Sequence, residues 1–170
     1  MEIIGKKVNN AAKSNIKMKE KNRAENILPI VKYPDPVLRK KCGKIKDPLN
    51  PEIQKLIPRM IKAMKANNGM GLAAPQVGKS IRLCIIEEGG RLYVLINPKI
   101  KSRSREKVMG EEGCLSFPGK FLNIERSEKV KVRYLDEKGK KVKIKASGLL
   151  ARALQHETDH LDGILFVDRV

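Results

Sequence analysis

Tryptophan is absent from this chain, and aromatic residues amount to three Tyr and three Phe in 170 positions. A hydrophobic core must therefore rest on Ile, Leu, Val, Met and Ala. The same scarcity removes the aromatic-plus-basic platform on which nucleobases stack. No apolar run approaches the ~20 residues that a membrane helix needs, and no hydrophobic stretch near Met1 has the form of a signal peptide. Cysteine is sparse, at Cys42, Cys84 and Cys114. An odd, widely spaced set fits a reducing compartment rather than a disulfide framework, so a soluble, cytosolic protein is expected. Acids are also few: 19 Asp and Glu against 37 Lys and Arg give a formal charge of +18. That excess attracts polyanions such as RNA, the ribosome surface or anionic lipid, although solvated lysine-rich faces produce the same composition. The length suits one domain and not two.

Residues 1–26 are rich in Lys and Asn and poor in large apolar residues, which predicts a basic, flexible N-terminal extension, with Met18 as an alternative start. Residues 27–170 form the expected domain. "ILPIVKYPDPVLRKKC" reads as a short extended stretch ending in a Pro-rich turn. "NPEIQKLIPRMIKAMKANNG" has helical spacing at Ile53, Leu56, Ile57, Met60, Ile61 and Met64. Asn50 is positioned to cap that helix, Pro51 suits its first turn, and Pro58 should kink or divide it. "IRLCIIE" and "LYVLINPKI" read as strands, and residues 128–147 alternate apolar and charged positions around "DEKG" as an antiparallel hairpin. "GLLARALQHETDHLDG" returns to helical period, with Ser147 as cap and Gly163 as stop. Strands followed by a late helix predict an α+β fold: a compact single domain with antiparallel sheets around a central, motif-bearing helix.

The two histidines of the chain, His156 and His160, both fall in that last helix, four residues apart, with Glu157 between them. Residues four apart share a helix face, so both imidazoles are placed to grip one cation, and Glu157 to act as a base beside it. Cys114, in "EEGCLSFPG", follows a glycine that permits close backbone approach. A Cys-His-His set leaves a fourth coordination position open, as catalytic sites do. Cys42 and Cys84 read as small buried hydrophobes. In "NGMGLAAPQVG", Gly69 and Gly71 allow close approach and Gln76 places an amide on an otherwise apolar stretch. By itself this segment reads as a turn. A different HExxH hydrolase and a metal-stabilised, basic ribosome-associated module also fit the metal set. A peptidase of that type commonly takes a further Glu or His downstream as its third ligand, and no further His is present.

Together, Gly69–Gln76, Glu112–Ser116 and Gln155–His160 resemble the peptide deformylase family. That family carries G-apolar-G-apolar-A-A-x-Q, E-G-C-apolar-S and Q-H-E-x-D-H in this order. "YPDPVLRK" is similar to its N-terminal strand region, and the resemblance extends over residues 27–170. It implies a metal-dependent hydrolase that removes the formyl group from the N-terminal formyl-methionine of nascent polypeptides and releases formate. It implies one divalent ion on Cys114, His156 and His160, Fe(II) in the cell, with Zn, Ni or Co as substitutes. Glu157 is implied as general base, with the Gln76 side chain and the Leu115 backbone N–H as donors to the developing oxyanion.

For substrate, the resemblance implies a peptide laid alongside an extended strand through main-chain atoms near Met70, Gly71 and Gly113. Met70, Leu149, Ala153 and the His156 ring are candidates for the methionine pocket, and core packing is the competing role for each. Glu112 is implied to pair with Arg126 and brace the site. Asp159 and Gln155 are expected to support the ligands, and Phe121 stands where some relatives carry Arg. Expected partners are N-formyl-methionyl nascent peptides and, electrostatically, the ribosome, with residues 1–26 contributing; no membrane is expected. A bacterial cytosol stands ahead of an organelle as the compartment.

Overall fold

The computed structural model describes residues 27–170; the expected N-terminal extension, residues 1–26, and the alternative start at Met18 lie outside the described residues. Two helices and two antiparallel sheets make up the fold, as the sequence pattern predicts. Helix α1 spans Pro51–Ala66. Asn50 accepts a hydrogen bond from the Glu52 N–H at 2.9 Å, satisfying one of the helix's free donors, and Pro51 fills a first-turn position. Leu56, Ile57, Met60, Ala63 and Met64 are buried along one face. Of the two outcomes expected at Pro58, division does not occur: the helix runs through it unbroken. Pro58 lies on the exposed side, so the carbonyl that a proline leaves without its helical donor is not forced into the core. Past the C-cap Asn67, the left-handed position is taken by Asn68 (φ 53°).

The larger sheet has strand order β1-β2-β3-β6-β7, from β1 (Gly71–Ala73), β2 (Leu83–Glu88), β3 (Arg91–Arg103), β6 (Lys129–Leu135) and β7 (Lys141–Ser147). Every pairing in it is antiparallel. Strands β4 (Lys107–Cys114) and β5 (Phe117–Ser127) form a separate two-stranded sheet. The β6–β7 turn is held by Asp136, whose carboxylate accepts from the Lys138 and Lys140 N–H groups at 3.0 and 2.8 Å.

Alternation along β2 assigns the two faces of the large sheet. Cys84 and Ile86 join Leu95, Val130, Val132 and Ala146 against helix α2 (Gly148–Leu161), which contributes Ala151, Leu154 and Leu161. Leu83 and Ile85 join Leu72, Val94 and Ile96 against α1. Helix α2 thus touches strands of both sheets and sits centrally. The core is almost wholly aliphatic, with Phe166 and Tyr134 the large aromatic residues buried in it. Ser147 occupies the N-cap position of α2 without a side-chain cap; the Gly148 N–H turns instead to the Glu128 carboxylate at 3.1 Å. Beyond the C-cap Asp162, Gly163 adopts a left-handed φ of 74°.

Candidate active site

Helix α2 carries His156, Glu157 and His160 on its inward side because the same turns bury Ala153, Leu154 and Leu161 in the core. The tip of the β4–β5 hairpin then delivers Cys114 to that side. Cys114 Sγ lies 3.3 Å from His160 Nε2, and one donor atom from each of Cys114, His156 and His160 falls within 4.8 Å of the others. Donors at ~2.3 Å (S) and ~2.1 Å (N) from a shared tetrahedral cation would be about 3.6 Å apart, so the observed sulfur–nitrogen spacing fits one divalent ion. His156 Nδ1 is engaged by Glu112 Oε2 at 2.9 Å, which leaves Nε2 to face the sulfur. A soft thiolate with two imidazoles suits a borderline metal.

Glu157 stands beside this set, buried, with Oε2 unpartnered among the described residues. Burial pushes its pKa up to about 7, His156 working against the rise and Glu112 adding to it. Strand β1 passes directly over the carboxylate: a Cβ on Gly71 would lie 2.2 Å from Glu157 Oε1. Any side chain there would have to push the Glu157 carboxylate aside. The 3-10 turn Ala74–Val77 places Gln76 so that its Oε1 accepts from the Ala73 N–H at 2.8 Å. Its amide nitrogen donates to Ser116 Oγ at 3.2 Å and points at Cys114 Sγ, 3.5 Å away. Leu115 follows Cys114 at the hairpin tip, where its carbonyl accepts from Lys32 Nζ at 2.6 Å.

A network of buried charge fixes the ligand-bearing elements. Arg126 grips both oxygens of Glu112 at 2.9 Å, and Arg152 reaches Glu112 Oε1 at 2.8 Å. Arg126 also binds Asp159 at 2.5 Å, and Arg169 closes on Asp159 at 2.6 Å. Burial alone would raise the Glu112 pKa, but the hydrogen bonds from His156 and Arg126 win and hold it at about 2. His156 shows the opposite balance: burial would lower it, whereas Cys114 and Glu112 raise it to about 10. Desolvation pushes His160 well below the usual histidine value. Cys42 and Cys84 are buried, with thiol pKa values raised by desolvation, Cys42 to about 11.

The site opens into a cavity of about 580 Å³. Its walls include every residue anticipated for substrate contact, namely Met70, Gly71, Gly113, Leu149 and Ala153, together with the His156 ring. Leu149 is 55% exposed and marks the rim, where Phe121, 62% exposed, joins it. The Phe121 ring covers Gly113 so closely that a Cβ there would meet it at 2.6 Å.

The structure differs from the sequence expectation in the surroundings of the ligands. Asp159 reaches the site through Arg126, and Gln155 spends its amide on the Ser127 backbone (3.2 and 2.9 Å), tying α2 to the end of β5 and touching no ligand. Arg152, which lies outside the three motifs, binds Glu112 and the carbonyls of Val108, Gly110 and Ile124. Its place four residues before His156, on the same helical face, was the available signal. Arg169 and Lys32 had none, because they reach the site only through the tertiary fold; Ser116 closes the E-G-C-apolar-S motif.

Comparisons with known proteins point to one family. A family model described as polypeptide deformylase matches residues 27–170. The chain is 52% identical over 149 residues to peptide deformylase of Thermodesulfovibrio yellowstonii, covering 85% of this chain and 89% of the relative. Its fold is similar to the crystal structure of peptide deformylase from Thermotoga maritima, with TM-score 0.82, 42% identity, and 85% and 97% of the two chains covered. It is similar to the same degree, TM-score 0.82 at 43% identity over 85% and 79%, to a Synechococcus elongatus peptide deformylase solved in complex with actinonin.

Proposed function

The chain belongs to the polypeptide deformylase family, metallohydrolases that remove the formyl group from nascent peptides, and from that premise we propose how its own residues perform the reaction. Cys114, His156 and His160 hold one divalent cation, Fe(II) in the cell, with Zn, Ni or Co able to replace it. When bound, the ion supplies Lewis acidity toward the formyl oxygen and lowers the pKa of water toward neutrality. Every other part is protein. The observation that carries the reading is the juxtaposition of an unpartnered, buried Glu157 carboxylate with the Cys-His-His set at the base of a cavity.

Glu157 is the general base and then the acid. Its buried place beside the ligand set lets it take a proton from the attacking water and return it to the departing amine. As the formyl carbon becomes tetrahedral, its oxygen gains charge, and the Gln76 side-chain N–H and the Leu115 N–H are the donors aimed at that charge. Removing one such donor typically costs on the order of 3 kcal/mol of barrier. An extended peptide lies along the main chain near Met70, Gly71 and Gly113, an arrangement tolerant of sequence beyond the first residue. Met70, Leu149 and Ala153 line the apolar wall for the methionine side chain. Glu112 and Arg126 are positioning residues: they hold the His156 ring in one orientation.

The cavity is supplied with nascent chains in a bacterial-type cytosol, and the excess positive charge promotes association with ribosomes. No helix among the described residues is long and apolar enough to cross a membrane. Formate release from a formyl-Met peptide, set against cleavage of an internal amide, tests the reaction. Formate without internal cleavage supports it, and internal cleavage without formate overturns it in favour of a peptidase.

A further inference from the structure

We infer that the outer face of the β3-β6-β7 region is a docking surface for the phosphate backbone of structured RNA. Strand β6 points Val130, Val132 and Tyr134 inward, so Lys129, Lys131 and Arg133 point outward, and β7 likewise presents Lys143 and Lys145. The strand register sets these charges in rows. Lys99 pairs with Arg133 and Arg133 with Lys143, while Lys131 pairs with Lys145. Like charges directly opposite one another on a sheet destabilise it. Here the repulsion is repeated across three strands with no carboxylate at any of these ladder positions. Among the described residues, none of the six makes an ion pair with an acid. Helix α1 covers this side of the sheet over β2 and the start of β3, and leaves the β6–β7 portion exposed.

An array of this kind binds a regular array of phosphates. Adjacent strands are ~4.8 Å apart and alternate residues along a strand ~7 Å apart, so the cations tile a flat patch wide enough to meet several phosphates of one duplex. Ser102 and Ser147, exposed at neighbouring ladder positions, add hydroxyl donors. No aromatic side chain interrupts the rows, which excludes base stacking and favours recognition of backbone and shape. Anionic membrane is the less favoured occupant, because surface-binding elements insert apolar side chains and these rows offer none. The face is turned away from α2, and none of these six cations lines the catalytic cavity. Docking therefore leaves the cavity free. The choice of RNA as the polyanion rests on the proposed action on nascent chains; the charge array does not.

The test is fluorescence anisotropy of a labelled RNA duplex of about 20 base pairs, titrated with the full chain between about 50 and 200 mM salt. The variant Lys131→Gln, Arg133→Gln, Lys143→Gln, Lys145→Gln is compared with a control neutralising Lys46, Lys55, Arg59 and Lys62. The face variant is expected to bind about tenfold or more weakly and to show a salt slope shallower by about 3, with the control within about twofold of wild type. Equal loss in both variants, or none in the face variant, overturns the proposal. Loss of phosphatidylserine-vesicle binding with RNA affinity intact overturns it in favour of membrane. Formate release from free formyl-Met peptide, unchanged in the face variant, verifies its fold. Absence of release in wild type would remove the catalytic reading and leave the RNA result standing.

Discussion

The molecule has two charge-dense regions built on opposite rules. Around α2, Glu112, Arg126 and Asp159 are buried, and each meets an opposite charge within hydrogen-bonding distance. On the outer face of β6 and β7, Lys131, Arg133, Lys143 and Lys145 are exposed and face one another without a counter-charge. Buried charge has to be neutralised locally because desolvation is costly, and the neutralising partners fix geometry. Exposed charge is screened by water and salt, so an unbalanced array is tolerated and its field reaches outward. The first region positions atoms, and the second attracts a partner.

The sharpest way to break this contrast is at the centre of the buried region. Glu157→Ala is expected to lower the rate of formate release by about 10²–10⁴-fold while the metal content, measured by elemental analysis, stays at the wild-type level. Replacing Glu112 with Gln leaves Arg126 and Arg152 without their shared anion and should cost about 3–5 kcal/mol of stability in denaturant unfolding. Its pH signature follows from the depressed pKa. The Glu112 contribution is fully present above its ordinary value of 4.5 and is lost as pH falls toward about 2, so the wild type loses this component in acid and Glu112→Gln lacks it. Gly71→Ala forces a Cβ into the Glu157 carboxylate and should lower turnover by about 10²-fold, with a smaller change in thermal midpoint. The smallest effect belongs to the exposed face. Lys131→Glu converts the cross-strand pair with Lys145 from like to opposite charge and should stabilise the fold by about 0.2–1 kcal/mol at low salt, a gain that fades as salt rises.

How far these features are legible in sequence depends on whether they are local. The HExxH spacing, the amphipathic face of α1 and the alternation of β6 and β7 are periodic, and each reads directly. The β4–β5 hairpin does not read as strands. Gly110, Gly113, Pro118 and Gly119 break its alternation, and only Glu112, Ile124, Arg126 and Ser127 of the hairpin are buried. Its pairing is set by the tertiary contact with α2 through Arg152. Helix α1 stays undivided at Pro58 for a similar reason: the proline lies on the exposed face, which sequence alone does not mark. Of the site, the residues near motifs were legible. Arg169 was not, because its partner Asp159 is met only after the chain turns back beyond α2.

Elemental analysis of the anaerobically purified full chain, coupled to the formate assay, bears most directly on the account. One divalent ion per chain is expected, lost together with formate release when Cys114 is replaced by Ser or His160 by Ala. A Cys114→Ser variant that keeps both its ion and its activity would contradict a centre built from that sulfur and the two imidazoles.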